Sequence, residues 1–353
     1  VMKMSASMLV EKDAKKAESK RKRWNAIAES AAKQSGRMFI PQVTKVMSLA
    51  EALDYGKGFD RNLIPYELAE DMADSVPGRN HTVAKISAEP ENTVDLLILG
   101  DSESHTSMSP MELWGESGVS AYVCGQSGQR IQETYYMLKK ALQTQSPKAV
   151  ILETNVMFRD PGFFRNLQTC FAEPLRYYMP VFRYHSLWKM IFDGQKNTGD
   201  DYKGFMIRNA VDPCDGEEYM KETTERQEIP EFARIYMEKI TELCRKNDIS
   251  LVLMSAPSPK NYNYRKHNAL QEYADAQGLP YIDLNLKTKE IGIDWKQDSY
   301  DKGDHLNVYG AQKVTAYMGK YLKENYDLPD HRGDPKYADW DQMEKKYREK
   351  LNL

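Results

Sequence analysis

Residues 94–102 read Val-Asp-Leu-Leu-Ile-Leu-Gly-Asp-Ser, and this stretch decides the fold. Residues 94–99 form a short apolar run that a glycine ends, which is typical of a buried strand in a parallel sheet. Ser102 follows directly, and the carboxyl end of such a strand is where open α/β sheets bind ligands. The stretch therefore predicts an α/β protein with a functional site at Ser102.

Strand and helix patterns alternate along the rest of the chain. Further strands are predicted over 120–124, 149–153, 249–254 and 281–283. Helices are predicted from Ser109-Pro110 onward and over 130–145, 230–247, 263–277 and 308–326. This alternation predicts a doubly wound fold with a mostly parallel sheet and helices on both faces.

The segments around this pattern differ in composition. Residues 1–74 are predicted to be a basic, helical N-terminal segment with a helix over 10–37, and residues 75–92 a polar linker. The α/β domain then spans 93–328. Its aromatic-rich insertion over 160–228 is long enough for a lid or substrate-binding cap. A charged tail with a peripheral helix is predicted over 329–353.

Bulk composition narrows the function classes. The 353 residues carry a net charge of −3, which favours no particular partner. No stretch reaches the ~20 apolar residues of a membrane span. The four cysteines are widely dispersed, which predicts free thiols rather than disulfides or a metal site. We expect no metal and no cofactor, and the absence of a leader in this chain favours a cytoplasmic location.

Four separated segments are predicted to converge at one edge of the sheet. Ser102 follows the first strand, residues 126–129 follow the second, Asn155 follows the third, and His305 precedes the last helix. Together they could supply a nucleophile, a base and oxyanion donors, as acyl transfer from an ester requires. Each also has a simpler interpretation, since Gly-Asp-Ser is a common turn and His305 could cap its helix. His105 is assigned a substrate-side or structural role.

These residues resemble the SGNH/GDSL hydrolases over about residues 90–326. The resemblance implies a flavodoxin-like three-layer α/β/α fold in which Ser102 attacks and His305 shuttles protons. The oxyanion hole would comprise the Ser102 and Gly128 N–H groups and Asn155, although the family's usual Gly-x-Asn-Asp is absent.

The acid of the implied triad departs from the family pattern. The family's aspartate lies three residues before the histidine, and that position is Lys302 here. Asp301 is preferred over Asp304, because the intervening glycine lets the loop fold back onto the imidazole.

Residues 304–311 resemble the branches of this family that act on carbohydrate or cell-envelope esters. The resemblance implies a serine esterase or O-acyltransferase with an acetyl ester as substrate, and it makes the cell envelope the alternative location. A catalytically inactive binding protein with the same fold is the other hypothesis.

Residues 1–72 resemble the knotted methyltransferases that modify a uridine in small-subunit ribosomal RNA. The resemblance lies in Lys20-Arg21-Lys22-Arg23-Trp24-Asn25 and in Leu63-Ile64-Pro65-Tyr66-Glu67. The family's Gly-Pro-Glu-Gly-Gly loop and its S-adenosylmethionine-binding knot do not follow. The segment is therefore interpreted as a methyltransferase remnant, and we expect no nucleic-acid partner despite its basic helix.

Overall fold

The computed structural model describes residues 89–160, 202–216 and 218–352, with single residues and short runs elsewhere. The chain divides into two compact units, Val1–Glu67 and Leu68–Leu353, which are treated separately below. In the first unit residues 21–26 are helical, and Asn25 exchanges hydrogen bonds of 2.8 and 3.0 Å with the backbone of Val43. The rest of the predicted basic helix and most of the 75–92 linker lie outside the described residues, and the proposed domain boundaries stay a prediction.

A five-stranded parallel sheet forms the centre of the second unit, in the order β2-β1-β3-β4-β5. Its strands are β1 (Leu96–Gly100), β2 (Ala121–Gly125), β3 (Ala149–Glu153), β4 (Ser250–Ser255) and β5 (Tyr281–Asp283). This is the flavodoxin-like strand order. The predicted α/β fold is thus confirmed, with strand boundaries within two residues of those predicted.

Helices cover both faces of this sheet. They are α1 (Ser102–Ser107), α2 (Pro110–Ser117), α3 (Ile131–Ala141), α4 (Glu231–Lys246), α5 (Tyr264–Gln277), α6 (Thr288–Ile291), α7 (Val308–Asn325) and α8 (Ala338–Leu351). Alternate side chains of β1 point to opposite faces of the sheet. Leu97 and Leu99 pack in the core that contains α3 and α4, and Leu96 and Ile98 pack in the core that contains α7. Every residue of β1 is buried, as its unbroken apolar sequence predicts.

Part of the 160–228 insertion runs along the edge of the sheet. We call residues 202–216 the strap. Val123 of the edge strand β2 donates a hydrogen bond of 2.9 Å to the Lys203 carbonyl, and Met206 N donates one of the same length to the His105 carbonyl. The strap therefore covers an otherwise open strand edge and lies directly over α1.

The C-terminal tail is more than a peripheral helix. Trp340 and Tyr347 of α8 are buried, and the Trp340 ring lies 5.4 Å from that of Trp114 in α2. Their rings add apolar surface to the core, so we expect the tail to stabilise the α/β unit. Among the described residues, no helix combines the length and apolar character needed to cross a membrane.

Candidate active site

Ser102 is the first residue of α1, immediately beyond the carboxyl end of β1. Asp101 caps this helix, because its carboxylate accepts a hydrogen bond of 3.0 Å from Glu103 N. Gly100 is required for this close packing, since a Cβ there would lie 2.7 Å from the Glu153 Cβ. Ser102 is buried, and within the described part of the chain its Oγ has no hydrogen-bond partner. The serine hydroxyl is thus held near a strand end without being tied to another group.

His305 lies on the loop before α7 and is oriented by Asp301. Its Nδ1 lies 2.7 Å from Asp301 Oδ2, and its backbone N donates to Asp301 Oδ1 at 2.7 Å. Lys302 and Gly303 between them have φ values of 60° and 81°, so the loop turns back on itself. The Nε2 of His305 is buried and has no partner among the described residues. With Asp301 on Nδ1, the free nitrogen is Nε2, the atom a general base would use.

Asp304 occupies a different position from Asp301. Its Oδ1 lies 3.8 Å from His305 Nδ1 and accepts a hydrogen bond of 2.7 Å from Asn261 Nδ2. The geometry therefore pairs His305 with Asp301, the aspartate preferred from the sequence.

The carboxylate of Glu103, in the first turn of α1, lies near His305. One ligand atom each from Glu103, Asp304 and His305 lies within 4.8 Å of the others. Because Glu103 follows Ser102 directly, this proximity places the imidazole near the first turn of α1. These three side chains could also hold a cation, but they belong to this same site and not to a separate one.

The two predicted oxyanion donors have different surroundings. Asn155 lies in a short 3-10 helix after β3, and its Nδ2 donates a 3.0 Å hydrogen bond to Asp101 Oδ2. Gly128 has a φ of 70° in a tight turn closed by Gln129 N on Gln126 O at 3.0 Å. Among the contacts of the described residues, Asn155 touches the neighbour of Ser102, whereas none joins Gly128 to Ser102.

A buried polar network behind the serine was not predicted from the sequence. Arg159 forms an ion pair with Asp101, and Lys266 Nζ donates to Asn155 Oδ1 at 3.3 Å. Glu153 accepts from Tyr262 Oη at 2.6 Å. Arg159 follows the third strand, as Asn155 does, so the rule that strand ends carry function could have found it. Lys266, on α5, gave no sequence signal.

Two carboxyl groups of this network resist ionisation. Burial, followed by the negative charge of Asp101, raises the pKa of Glu153 to about 8. Burial, then Asp101 and Glu153, likewise raises the pKa of Glu103 well above its ordinary value. Asp101, which binds Arg159 and Asn155, thus lies beside two carboxyl groups that favour the neutral form.

Glu153→Gln is expected to flatten the pH dependence of stability. Between the ordinary pKa of 4.5 and the folded-state value of about 8, the folded chain holds a proton that the unfolded chain has released. Wild-type stability must therefore fall as pH rises through this window, while glutamine does not titrate. From about pH 5 to about pH 8 the variant should gain roughly 1–4 kcal/mol relative to the wild type. Parallel curves of unfolding free energy against pH would contradict this assignment.

Comparison with known sequences finds a similarity at the front of the chain. The RNA methyltransferase domain family matches residues 1–100. Ribosomal RNA small subunit methyltransferase E of Bacillus subtilis is 32% identical over 130 residues, which are 37% of this chain and 48% of that protein. The chain thus spans about half the length of the curated relative it matches.

Comparison with solved structures finds similarity to hydrolases. A GDSL-like lipase from Bacteroides thetaiotaomicron is 11% identical, with 70% of this chain and 98% of that chain covered at a TM-score of 0.35. A lipase/acylhydrolase from Enterococcus faecalis is 14% identical; the match covers 67% of this chain and 98% of that chain, with a TM-score of 0.35. An acetyl xylan esterase from Butyrivibrio proteoclasticus is 11% identical; the match covers 67% of this chain and 64% of that chain, with a TM-score of 0.32. This chain has an α/β fold built on a five-stranded parallel sheet. Solved structures that are similar to this chain include GDSL-type hydrolases.

Proposed function

We propose that this chain is a serine esterase or O-acyltransferase that acts on acyl esters, acetyl esters first, of a carbohydrate or cell-envelope glycan. The observation that carries the proposal is the Asp301–His305 pair, which leaves Nε2 of His305 without a partner among the described residues and lies near Glu103, the residue after Ser102. A base oriented by a carboxylate next to an unbonded serine hydroxyl is the arrangement that activates a serine nucleophile.

The proposed reaction proceeds through an acyl-enzyme. Ser102 Oγ attacks the ester carbonyl while His305 Nε2 accepts its proton, and Asp301 stabilises the imidazolium that forms. The tetrahedral intermediate collapses as the alcohol leaves with the proton from Nε2. Water or a sugar hydroxyl then attacks the acyl-serine, giving up its proton to Nε2, and releases Ser102.

Oxyanion stabilisation is assigned to the N–H groups of Ser102 and Gly128 and to Asn155 Nδ2. The Ser102 N–H lies in the first turn of α1, where backbone N–H groups have no intrahelical acceptor. Asn155 Nδ2 carries two hydrogens, and Asp101 needs only one of them. The second is available to a developing negative charge.

The choice of a carbohydrate ester rests on the resemblance of residues 304–311 to glycan-directed branches of the hydrolase family. The choice between hydrolysis and transfer depends on which nucleophile resolves the acyl-enzyme. Transfer requires an acceptor hydroxyl in place of water, so the two activities share Ser102 and differ in their second step.

The test is pre-steady-state hydrolysis of p-nitrophenyl acetate by the full chain. We expect a burst of p-nitrophenolate stoichiometric with enzyme, followed by slower turnover, because acylation precedes release of the acyl group. Adding methyl glucoside in excess separates the two activities, since a transferase forms an acetylated sugar. Absence of both burst and turnover would overturn the proposal in favour of a binding protein.

Asp301→Asn is expected to lower kcat for this ester by about 10³–10⁴-fold. An amide at this position would place an N–H against Nδ1, which favours the tautomer with its proton on Nε2 and removes the base. Asp304→Asn is the matched control, since its carboxylate binds Asn261 and lies 3.8 Å from Nδ1. We expect it to cost less than about tenfold. A larger loss in Asp304→Asn than in Asp301→Asn would reverse the assignment of the acid.

RNA methylation is the second candidate function, and the match of residues 1–100 to the RNA methyltransferase domain family favours it. Titration of the full chain with S-adenosylmethionine by calorimetry separates the two hypotheses. We expect no binding, because the family's glycine-rich loop does not follow the matching N-terminal segment in this sequence. Measured binding would instead support a methyltransferase.

A further inference from the structure

A second imidazole, His105, lies in the site and has no part in the mechanism above. It stands three residues after Ser102 on α1, so the two side chains lie on neighbouring positions of one helix face. His105 is only 4% exposed, and its Nε2 is buried with no partner among the described residues. Buried polar atoms are normally hydrogen-bonded, so a nitrogen without a protein partner beside Ser102 is a candidate to bind a polar group of a ligand.

The other nitrogen of the ring determines what Nε2 can do. The His105 side chain hydrogen-bonds to the carbonyl of Gly125 at the end of β2. Since Nε2 has no partner, the donor to this carbonyl is Nδ1. In a neutral imidazole a protonated Nδ1 leaves Nε2 as an acceptor. Burial lowers the pKa of His105 to about 4, so the ring is neutral around pH 7.

His105 is unsuited to act as a second base. Among the residues that the structure describes, no carboxylate binds its Nδ1, in contrast to the Asp301 contact of His305. Burial is the main reason that the pKa of His105 is lowered; the Gly125 carbonyl and the charge of Asp101 favour a proton on the ring, and the charges of His305 and Arg208 oppose it. Its unused lone pair can therefore accept a hydrogen bond without taking the proton.

The strap carries a cationic donor, Arg208, whose charge acts on His105. Met206 N binds the His105 carbonyl at 2.9 Å, and Arg208 follows two residues later with its guanidinium 4.7 Å from the Tyr300 ring centroid. The Nε of Arg208 is buried and, within the described part of the chain, has no partner. A hydroxyl group both donates and accepts, so it can use an acceptor and a donor together.

We infer that His105 Nε2 accepts a hydrogen bond from a hydroxyl of the substrate next to the scissile ester, which makes His105 the residue that selects polyol esters. The inference rests on the proposed esterase function and adds to it the residue that recognises the sugar. Arg208 Nε is the donor placed to complete the recognition of the same hydroxyl.

Two substitutions of His105 separate its two nitrogens. Asparagine can place its amide nitrogen near the Nδ1 position, which retains the bond to Gly125 but removes the acceptor. Glutamine reaches further and can place its amide oxygen near the Nε2 position. The readout is the ratio of kcat/KM for a mono-O-acetylated methyl xyloside to kcat/KM for p-nitrophenyl acetate, which has no hydroxyl.

We expect His105→Asn to lower this ratio about tenfold, the effect of one neutral hydrogen bond, and His105→Gln to restore it to within about threefold of the wild type. The inference would be overturned if both variants kept the wild-type ratio, including the case in which kcat/KM falls by the same factor for both esters. If the wild type hydrolyses p-nitrophenyl acetate but not the acetylated xyloside, the inference about His105 is overturned and the esterase proposal stands. If the wild type hydrolyses neither ester, both proposals are overturned.

A second measurement does not depend on the folding of His105 variants. In Ser102→Ala the substrate complex cannot react, so the ¹⁵N signal of His105 Nε2 can be followed while the acetylated xyloside is added. We expect the Nε2 signal to shift on binding, with the larger change on Nε2 than on Nδ1. A bound xyloside that leaves the Nε2 signal in place would contradict the proposed hydrogen bond.

Discussion

Replacing Ser102 with alanine should reduce kcat/KM for p-nitrophenyl acetate by about 10⁴-fold or more, and should eliminate the burst. The substitution removes only the hydroxyl oxygen, which has no hydrogen-bond partner among the described residues. Alanine also favours helix, so α1 should persist. The loss would therefore report the chemical step and not the fold.

Ser250→Ala is the matched control for Ser102→Ala. Ser250 is exposed at the amino end of β4, on the opposite edge of the sheet from Ser102. We expect its turnover to remain within about twofold of the wild type, since surface substitutions of this kind usually change stability by under about 0.5 kcal/mol. A Ser102→Ala protein that kept its burst would show that another residue carries the acyl group.

Replacing His305 with alanine should cost a comparable factor, about 10⁴-fold or more, because Ser102 then has no base. The double variant with Ser102→Ala should be scarcely slower than either single variant, since the two groups act as a unit. Multiplicative losses in the double variant would contradict a shared role.

His331→Gln controls for the general effect of breaking a histidine–carboxylate pair. His331 Nε2 lies 2.6 Å from Asp95 Oδ2, and its ring stacks on Tyr337 at 4.1 Å. Asp95 directly precedes β1, so the pair lies at the amino end of this strand, whereas Ser102 follows its carboxyl end. We expect its loss to lower thermal stability and leave the burst intact. A comparable loss of turnover in both histidine variants would indicate a folding defect.

The sheet was predictable because its strands are buried on both faces. Such strands are continuous apolar runs, and residues 94–99 and 149–153 show this pattern plainly. The order of the site residues followed from the same rule, since each was placed at a strand end or a helix start. Local loop geometry also favoured Asp301, because Gly303 permits the turn that brings its carboxylate onto His305.

Helix α1 was missed because its sequence has no apolar stripe. Residues 103–107 are all polar, yet all are buried. Hydroxyl groups of this helix donate hydrogen bonds to its own backbone carbonyls. Ser104 Oγ donates to the Asp101 carbonyl at 2.7 Å, and Thr106 Oγ1 donates to the Ser102 carbonyl at 2.9 Å. Gly100 and Gly125 supply the space for this packing. Periodicity cannot detect a helix that is buried through hydrogen bonds.

The contribution of Lys266 to the polar network behind Ser102 could not be predicted, because Lys266 is far in sequence from the strand ends that carry Asn155 and Arg159. Lys266 reaches Asn155 across 111 positions. By contrast, the aromatic residues Tyr337, Trp340 and Tyr347 of the tail recur at helical spacing. The rings of Tyr337 and Trp340 pack on Trp114 of α2, and the ring of Tyr347 packs on Tyr202 and Phe205 of the strap. That spacing could have predicted a packed helix where the charge suggested only a peripheral one.

Covalent labelling with a fluorophosphonate, followed by peptide mass spectrometry, tests most directly whether an activated serine lies at the end of β1. Full-length protein should acquire one adduct per chain, located on the peptide that contains Ser102, and His305→Ala should suppress it. An adduct on a different serine, or an unlabelled protein that still hydrolyses esters, would contradict the account.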